Sequence, residues 1–459
     1  MRSIIRAANP QKSAGVENES ERRDVISTLT SQLFRIVSGP VMLLMIPLYL
    51  RADVQGFWYT FISLSALSVL ADLGFTTIIL EFSAHEFAHL SLPTSGILEG
   101  PREYKERLGS LLRFVAKRSL ILVTLAYIII FCVGSWVFSQ RAPSNVWLVP
   151  WALYIIGGSV VFLNNIASSF LSGCRMVESV QKRILATSVI QSLVTIFAMY
   201  KHCGLYAISF GVLAGAVSGV LLIWWRFGAF MKQLLSFQKA SNNWGDEILK
   251  LLWRTAISWV SGYLILQIYT PFMFLFKGPV EAGRIGISIN LATTIFTISS
   301  TWMTANNPRF NMYVAKRSWE ELDRAFWLNF RLSVFTNILV LGIISVIGIG
   351  LVNSVAFLAR IADRFVEQGA LAMLLLGWLL QLIINNFAIY LRAHKQEPIV
   401  VFSVVIALLI TLATYICARY LQSALFFSGF LASYAVSVPW IVYIFRSRRK
   451  AWHLIGEVT

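Results

Sequence analysis

The stretch Leu205–Trp225, LYAISFGVLAGAVSGVLLIWW, runs for 21 residues without one charged side chain. A helix rises 1.5 Å per residue, so about 20 apolar residues suffice to cross the hydrocarbon of a bilayer. Eleven further mostly apolar runs lie around it: Val25–Leu50, Gly56–Phe82, Leu111–Phe138, Val146–Leu171, Ile184–Tyr200, Ile248–Phe276, Gly283–Asn306, Ala325–Val352, Ala370–Leu391, Ile399–Ala418 and Ala424–Phe445. Strands of a membrane barrel would alternate over about ten residues, and these runs do not. They explain a composition that is 57% apolar, 14% aromatic and 13% charged over 459 residues, with a mean hydropathy of +0.68. Soluble domains carry about 25% charged residues, so the roughly three soluble domains that length alone suggests are excluded. The expected fold is an all-α polytopic membrane protein of about 12 transmembrane helices.

The net charge of +17 invites a nucleic-acid reading, but its distribution answers otherwise. With the N-terminus in the cytosol, 30 of the 39 Lys and Arg fall in inner segments and 8 in outer ones, leaving Arg35 inside the first run. That is the positive-inside pattern, and it accounts for much of the charge without nucleic acid. Both termini are then cytosolic. Residues 1–24 lack the apolar core of a signal peptide and are expected to form a disordered cytosolic tail. Trp58, Trp136, Trp147 and Trp151 at outer helix ends, with Trp224 and Trp225 at an inner one, are expected to form an interfacial aromatic belt. The four cysteines are scattered, without metal or disulfide spacing, and read as small hydrophobes.

The two halves resemble each other. Val37-Ser38-Gly39 recurs as Val260-Ser261-Gly262, each followed by a proline, Pro47 and Pro271. Asn164-Asn165-x-Ala167 recurs as Asn385-Asn386-x-Ala388, so the offsets are 223 and 221 residues. Six helices separate the copies, which gives both halves one orientation and an axis along the membrane normal. The expected organisation is a tail (1–24), an N-lobe (25–225), a cytosolic linker (226–247), a C-lobe (248–445) and a basic cytosolic tail (446–459), with a central cavity between the lobes. The short outer connections leave no room for an outer catalytic domain. No phosphate-binding loop is present, so ATP does not drive the process within this chain and no cofactor is expected.

Charges deep in a bilayer are expensive and demand a reason. Arg35 lies near mid-depth of the first run, on a polar stripe with Ser31, Ser38 and Gly39. Asp72 lies near mid-depth of the second, on a stripe with Ser65, Ser68 and Thr76. Either the two form a structural ion pair, or they face a water-filled cavity and contact substrate or a coupling ion. Gln267 and Asn290 are the mid-depth polar groups of the second half, while Arg254 and Arg331 enter from inner helix ends, where snorkelling competes with substrate contact. The Asn pairs read as interhelical hydrogen bonds or cavity lining.

One motif points elsewhere. His85-Glu86-Phe87-Ala88-His89 is a literal HExxH, which on a helix sets two imidazoles on one face for zinc and a glutamate as general base, with Glu81 one turn earlier. Pro93 limits that helix, and no acidic motif follows to supply a distant ligand. Without a third ligand the segment reads as a solvated helix end, with an intramembrane zinc metalloprotease as the rival.

Gln55-Gly56-Phe57-Trp58, followed by Leu70-Ala71-Asp72-Leu73-Gly74 closing the second helix, resembles the Wzx-type O-antigen flippases of the multidrug/oligosaccharidyl-lipid/polysaccharide exporter superfamily. Leu171-Ser172-Gly173-Cys174-Arg175 looks like that family's short basic loop, and Asn307-Pro308-Arg309-Phe310 like its helix-breaking proline. The resemblance spans roughly Val25 to Lys450. It implies a MATE-like fold and transfer of an undecaprenyl-diphosphate-linked oligosaccharide between leaflets of a bacterial inner membrane by alternating access, coupled to an ion gradient. It further implies lipid, a polysaccharide polymerase and chain-length proteins as partners. Asp72 would then couple the ion, and Arg35, with Asp72, Gln267, Asn290, Arg254 and Arg331, would hold the substrate. A cation-coupled multidrug exporter of the same superfamily is the alternative, and it would favour acidic rather than basic lining groups.

Overall fold

The computed structural model describes residues 27, 30, 34, 38–92, 97–237, 244–245, 260–352, 361–394 and 399–457. Arg35, Arg254, Pro93 and the tail over 1–24 lie outside them. The described residues are helical almost throughout, relieved by one isolated antiparallel bridge between Ser91 and Glu99. The first half contains α1 (Ser38–Tyr49), α2 (Ala52–Ser65), α3 (Val69–Asp72), α4 (Phe75–Phe87), α5 (Arg102–Ser139), α6 (Ser144–Gly173), α7 (Val177–Tyr200) and α8 (Tyr206–Ser236). The second contains α9 (260–267), α10 (Tyr269–Lys277), α11 (Pro279–Ala315), α12 (Trp319–Val352), α13 (Gln368–Ala393), α14 (Val400–Tyr420) and α15 (Ser428–Glu457). Each of the twelve apolar runs therefore carries helix, and nine of the described spans are long and apolar enough to cross a membrane.

The second run departs from the expected single rod. It is broken into α2, a 3-10 turn at Ala66–Ser68, α3 and α4. The break comes from two consecutive left-handed residues, Leu73 (φ 43°) and Gly74 (φ 90°). A left-handed leucine costs roughly 1–2 kcal/mol, and Gly74 is the residue type that takes that conformation without penalty. The motif around Asp72 thus closes the membrane-length span Ala52–Asp72, as expected, and α4 continues the apolar run as a separate helix. The eighth run differs in the opposite sense: α11 continues through Pro308 to Ala315, so this proline is carried inside the helix rather than ending it.

Helix α11 is too rich in Ser and Thr to register as an apolar span, yet it satisfies itself. The hydroxyls of Thr293, Thr297, Ser299 and Thr301 each donate to the carbonyl four residues back, at 2.6–2.9 Å. Hydroxyls folded onto their own helix need no water, which makes such a segment tolerable in hydrocarbon.

The chain divides into two compact units. The first comprises Met1–Ser38, Gly74–Phe131 and Pro150–Trp253; the second comprises Gly39–Leu73, Cys132–Val149 and Arg254–Thr459. The chain passes between them at Gly39, at the left-handed pair Leu73-Gly74, after Phe131 inside α5, at Pro150 inside α6 and after Trp253. In the first unit α7 lies along α8 over a glycine seam. A Cβ on Gly211 would stand 1.9 Å from Thr195 Oγ1, one on Gly215 2.9 Å from Gln191 Oε1, and one on Gly219 2.4 Å from Asn164 Nδ2. This spacing of four is the small-residue pattern by which membrane helices approach closely. Here it admits polar side chains, so a polar layer runs through an apolar bundle.

In the second unit, α2 meets α11 at backbone contact. A Cβ on Gly56 would lie 1.8 Å from the Pro279 carbonyl oxygen. Gln55, 1% exposed, donates from Nε2 to the Gly283 carbonyl at 2.9 Å. Phe57 sits edge-on to Phe274 and close to Phe138. A second aromatic cluster, Phe326, Phe387, Tyr390 and Phe445, ties α12, α13 and α15 together.

The aromatic belt is only partly realised. Trp136, Trp224 and Trp225 are exposed, but Trp58, Trp147 and Trp151 are buried. Trp147 donates its indole N–H to the Ala142 carbonyl and Trp151 to that of Phe131, so these rings satisfy their polar atom inside the protein and need no interface.

Candidate functional site

The first unit encloses a cavity of about 390 Å³ reached by Ser38 of α1, Asn164 and Asn165 of α6, and Arg183, Ser188 and Gln191 of α7. Its lining mixes polar and apolar groups, and among the described residues the one charged side chain in it is Arg183. Arg183 is 7% exposed. One terminal nitrogen donates to Ser168 Oγ, whose hydroxyl in turn donates to the Asn164 carbonyl. Asn164 Nδ2 donates to the Ala216 carbonyl of α8 at 3.0 Å. The Asn pair therefore does both things expected of it: Asn164 bonds across helices, while Asn165 is exposed to the cavity. In the second unit it is Asn386, not its neighbour, that is fully buried, donating to Ser333 Oγ at 3.2 Å.

The second unit holds a groove of about 290 Å³ with an almost wholly apolar lining, including Leu64, Leu67 and Leu70 of the broken helix, Trp136, Val260 and Tyr263. Tyr263 hides its hydroxyl by donating to the Ser63 carbonyl at 3.3 Å. Ser63 Oγ donates in turn to the carbonyl of Gln267. Asp72, 7% exposed, closes α3 two residues after Leu70, at the helix break.

Of the residues singled out from sequence, Arg35 and Arg254 lie outside the described residues. Asp72 is buried, Gln267 and Asn290 are half-buried, and Arg331 is exposed on α12. Gln267 is tied to α2 through its backbone carbonyl.

The HExxH segment does not assemble a metal site. Helix α4 ends at Phe87, so His89 lies past the last helical residue and the two imidazoles do not share a helical face. Glu86, the would-be general base, is 2% exposed and forms a two-pronged pair with Arg107, Nε to Oε2 at 2.9 Å and Nη2 to Oε1 at 2.6 Å. The Arg107 guanidinium also stands 5.7 Å from the ring centre of Trp244. His85 and Glu81 are exposed, and His89 stacks on Tyr104 with ring centres 4.1 Å apart. Among the described residues no three His, Cys, Asp or Glu side chains gather to hold a metal. The segment staples α4 to α5.

The short basic loop is likewise a packing device. A Cβ on Gly173 would stand 1.9 Å from Ser83 Oγ and 2.5 Å from the Leu80 carbonyl, so α6 ends hard against α4. Burial pushes the Cys174 thiol well above its ordinary range, which keeps it protonated and inert.

By sequence Arg183 sits near a helix end and counts with the inner-loop charge, so nothing local sets it apart. The glycines at 211, 215 and 219 were the signal that could have found it. A four-residue glycine repeat facing α7 says that something other than aliphatic side chains lies there.

No family model matches the chain, and no curated protein matches it. Solved structures do. The chain is similar to the lipid II flippase MurJ in an inward closed conformation (TM-score 0.65, 11% identity, 95% of this chain and 90% of that one). It is also similar to an inward-facing multidrug resistance MATE family transporter of the MOP superfamily (TM-score 0.59, 16% identity, 91% and 98%). A crystal structure of MATE in complex with MaL6 matches with a TM-score of 0.57 at 14% identity, over 94% and 96%. The fold is that of these membrane transporters and flippases.

Proposed function

We propose that this chain is a flippase that carries an undecaprenyl-diphosphate-linked oligosaccharide, an O-antigen or related surface-polysaccharide unit, from the cytoplasmic to the periplasmic leaflet of a bacterial inner membrane. Its lobes, 25–225 and 248–445 joined through 226–247, alternate in access, with both termini cytosolic and an ion gradient as the driving force. The observation that carries this reading is the apolar groove of the second unit, lined in part by Leu64, Leu67 and Leu70 of the helix that breaks just after the buried Asp72. Such a substrate has a greasy tail that can stay in hydrocarbon and a charged head that cannot. Arg35 grips the diphosphate, since a guanidinium donates paired charge-assisted hydrogen bonds to phosphate. Asp72 couples the ion, while Gln267, Asn290, Arg254 and Arg331 contact the headgroup. A polysaccharide polymerase and chain-length proteins take the product.

A cation-coupled multidrug exporter is the second reading, supported by the likeness to MATE structures. Flux in proteoliposomes separates the two. Lipid-linked oligosaccharide, not cationic drug, should be moved, and the gene should restore surface polysaccharide in a strain lacking its O-antigen flippase. Arg35→Lys should impair flux at normal abundance, because an ammonium cannot reproduce the fork. Near-normal flux in Arg35→Lys, or rescue in Arg35→Ala/Asp72→Ala, would make Arg35 structural.

A further inference from the structure

We propose that the polar cavity of the first unit is an anion site, in which Arg183 receives a phosphate or diphosphate oxyanion. A guanidinium that is 7% exposed in a membrane bundle must be compensated, because an uncompensated buried charge is strongly destabilising. Yet among the described residues no carboxylate pairs with Arg183. Glu178, five residues before it, is bound to Lys182 at 2.5 Å. Among the described residues the one partner of the Arg183 head is a neutral hydroxyl, Ser168 Oγ, and its buried Nε has no hydrogen-bond partner there.

The surroundings are built to receive the missing negative charge. Arg183 borders about 390 Å³ of cavity, together with the amides of Asn164, Asn165 and Gln191 and the hydroxyl of Ser188. Neutral donors can complete the shell of an oxyanion, and among the described lining residues no carboxylate repels it. The space is kept open from α8. A Cβ on Gly219 would lie 2.4 Å from Asn164 Nδ2 and 3.3 Å from Arg183 Nη1, so a larger residue would push both donors aside. Arg183 is six residues into α7, hence about 9 Å from that helix end. That depth suits an anion drawn inward from the headgroup layer.

The anion site stands on its own geometry; equating its anion with the headgroup of a flipped lipid rests on the flippase reading. Titration calorimetry on the full chain in phosphatidylcholine nanodiscs tests the site, with inorganic pyrophosphate and geranyl diphosphate as probes and geraniol as the uncharged control. Both diphosphates should bind and geraniol should not. Tighter binding of geranyl diphosphate would identify a lipid-borne anion, and equal binding a free one; either supports the site. Arg183→Gln should weaken both by about tenfold or more, the loss of one charged hydrogen bond. Ser188→Leu, which fills the cavity and leaves Arg183 in place, should do the same. With no ligand present, Arg183→Gln should melt no lower than the parent, since it removes an uncompensated charge.

Absence of diphosphate binding to the parent chain, or binding unchanged in both variants, would overturn the proposal. Diphosphate binding that depends on Arg183 without any oligosaccharide flux would refute the flippase reading and leave the site standing. Intact flux with no such binding would do the reverse.

Discussion

Gly56→Ala is the most severe single-methyl perturbation that the packing allows one to specify. The added Cβ would fall 1.8 Å from the Pro279 carbonyl oxygen, 2.5 Å from its carbon and 2.8 Å from its Cα, all backbone atoms. No rotamer change relieves this, so α2 and α11 must part by roughly 1.5 Å to restore van der Waals separation. From the opposite side a Cβ on Gly283 would meet the Gly56 amide at 2.9 Å, so the helices have no slack to slide. A shift of that size carries the Gln55-to-Gly283 hydrogen bond from 2.9 Å past any useful length, leaving the buried amide with only its long 3.4 Å bond to the Arg364 carbonyl. Overpacking costs about 1–3 kcal/mol, and the lost hydrogen bond about 1 kcal/mol more. The lower end of the sum, about 2 kcal/mol, already disfavours the α2–α11 contact about 30-fold.

The readout is modification by a maleimide of Ser288→Cys, fully buried on α11, in a background with the four native cysteines replaced. Labelling should accelerate at least about tenfold in Gly56→Ala, with a fall in melting temperature. Gly342→Ala serves as control, because nothing lies within 4 Å of its added Cβ. Unchanged labelling and melting in Gly56→Ala would refute the close approach of α2 and α11.

Asp72→Asn should reduce transport or flatten its pH dependence at unchanged abundance, measured as flux between pH 6 and 8; a parent-like profile would remove Asp72 from ion coupling. Glu86→Gln should lower stability by about 1–3 kcal/mol, seen as a lower melting temperature, since it strips a buried acceptor from Arg107. His85→Ala and His89→Ala should leave both flux and metal content unchanged, and stoichiometric zinc lost in either would revive the metal reading. Gly74→Ala, at φ 90°, should cost about 1–2 kcal/mol and slow transport, because the helix break depends on a residue at ease in that conformation. Equal flux and melting would mean that the break does not need it.

Much of the architecture was legible in one dimension. Twelve apolar runs imply membrane helices because each must satisfy its backbone within itself, and that requirement is local. The Gln55-Gly56-Phe57-Trp58 and Leu171-to-Arg175 motifs carried a resemblance to exporters of this superfamily, and the solved structures that match share that fold. What those motifs do was not legible. Gly56 and Gly173 turn out to be places where another helix backbone arrives, and the sequence does not say which.

The same divide separates the charged residues. Depth along a run can be counted, so Asp72 could be placed near mid-membrane from sequence alone. Partners cannot be counted. Glu86 in its HExxH looked available for catalysis until Arg107, 21 residues away, proved to occupy both its oxygens. Arg183 looked like one more inner basic residue until α6 and α8 closed over it and left it without a counter-ion among the described residues. Helix and span follow from the period and polarity of neighbouring residues, which the chain carries in order. Whether a charge is spent or waiting depends on side chains brought together from distant parts of the chain, and only the tertiary structure decides that.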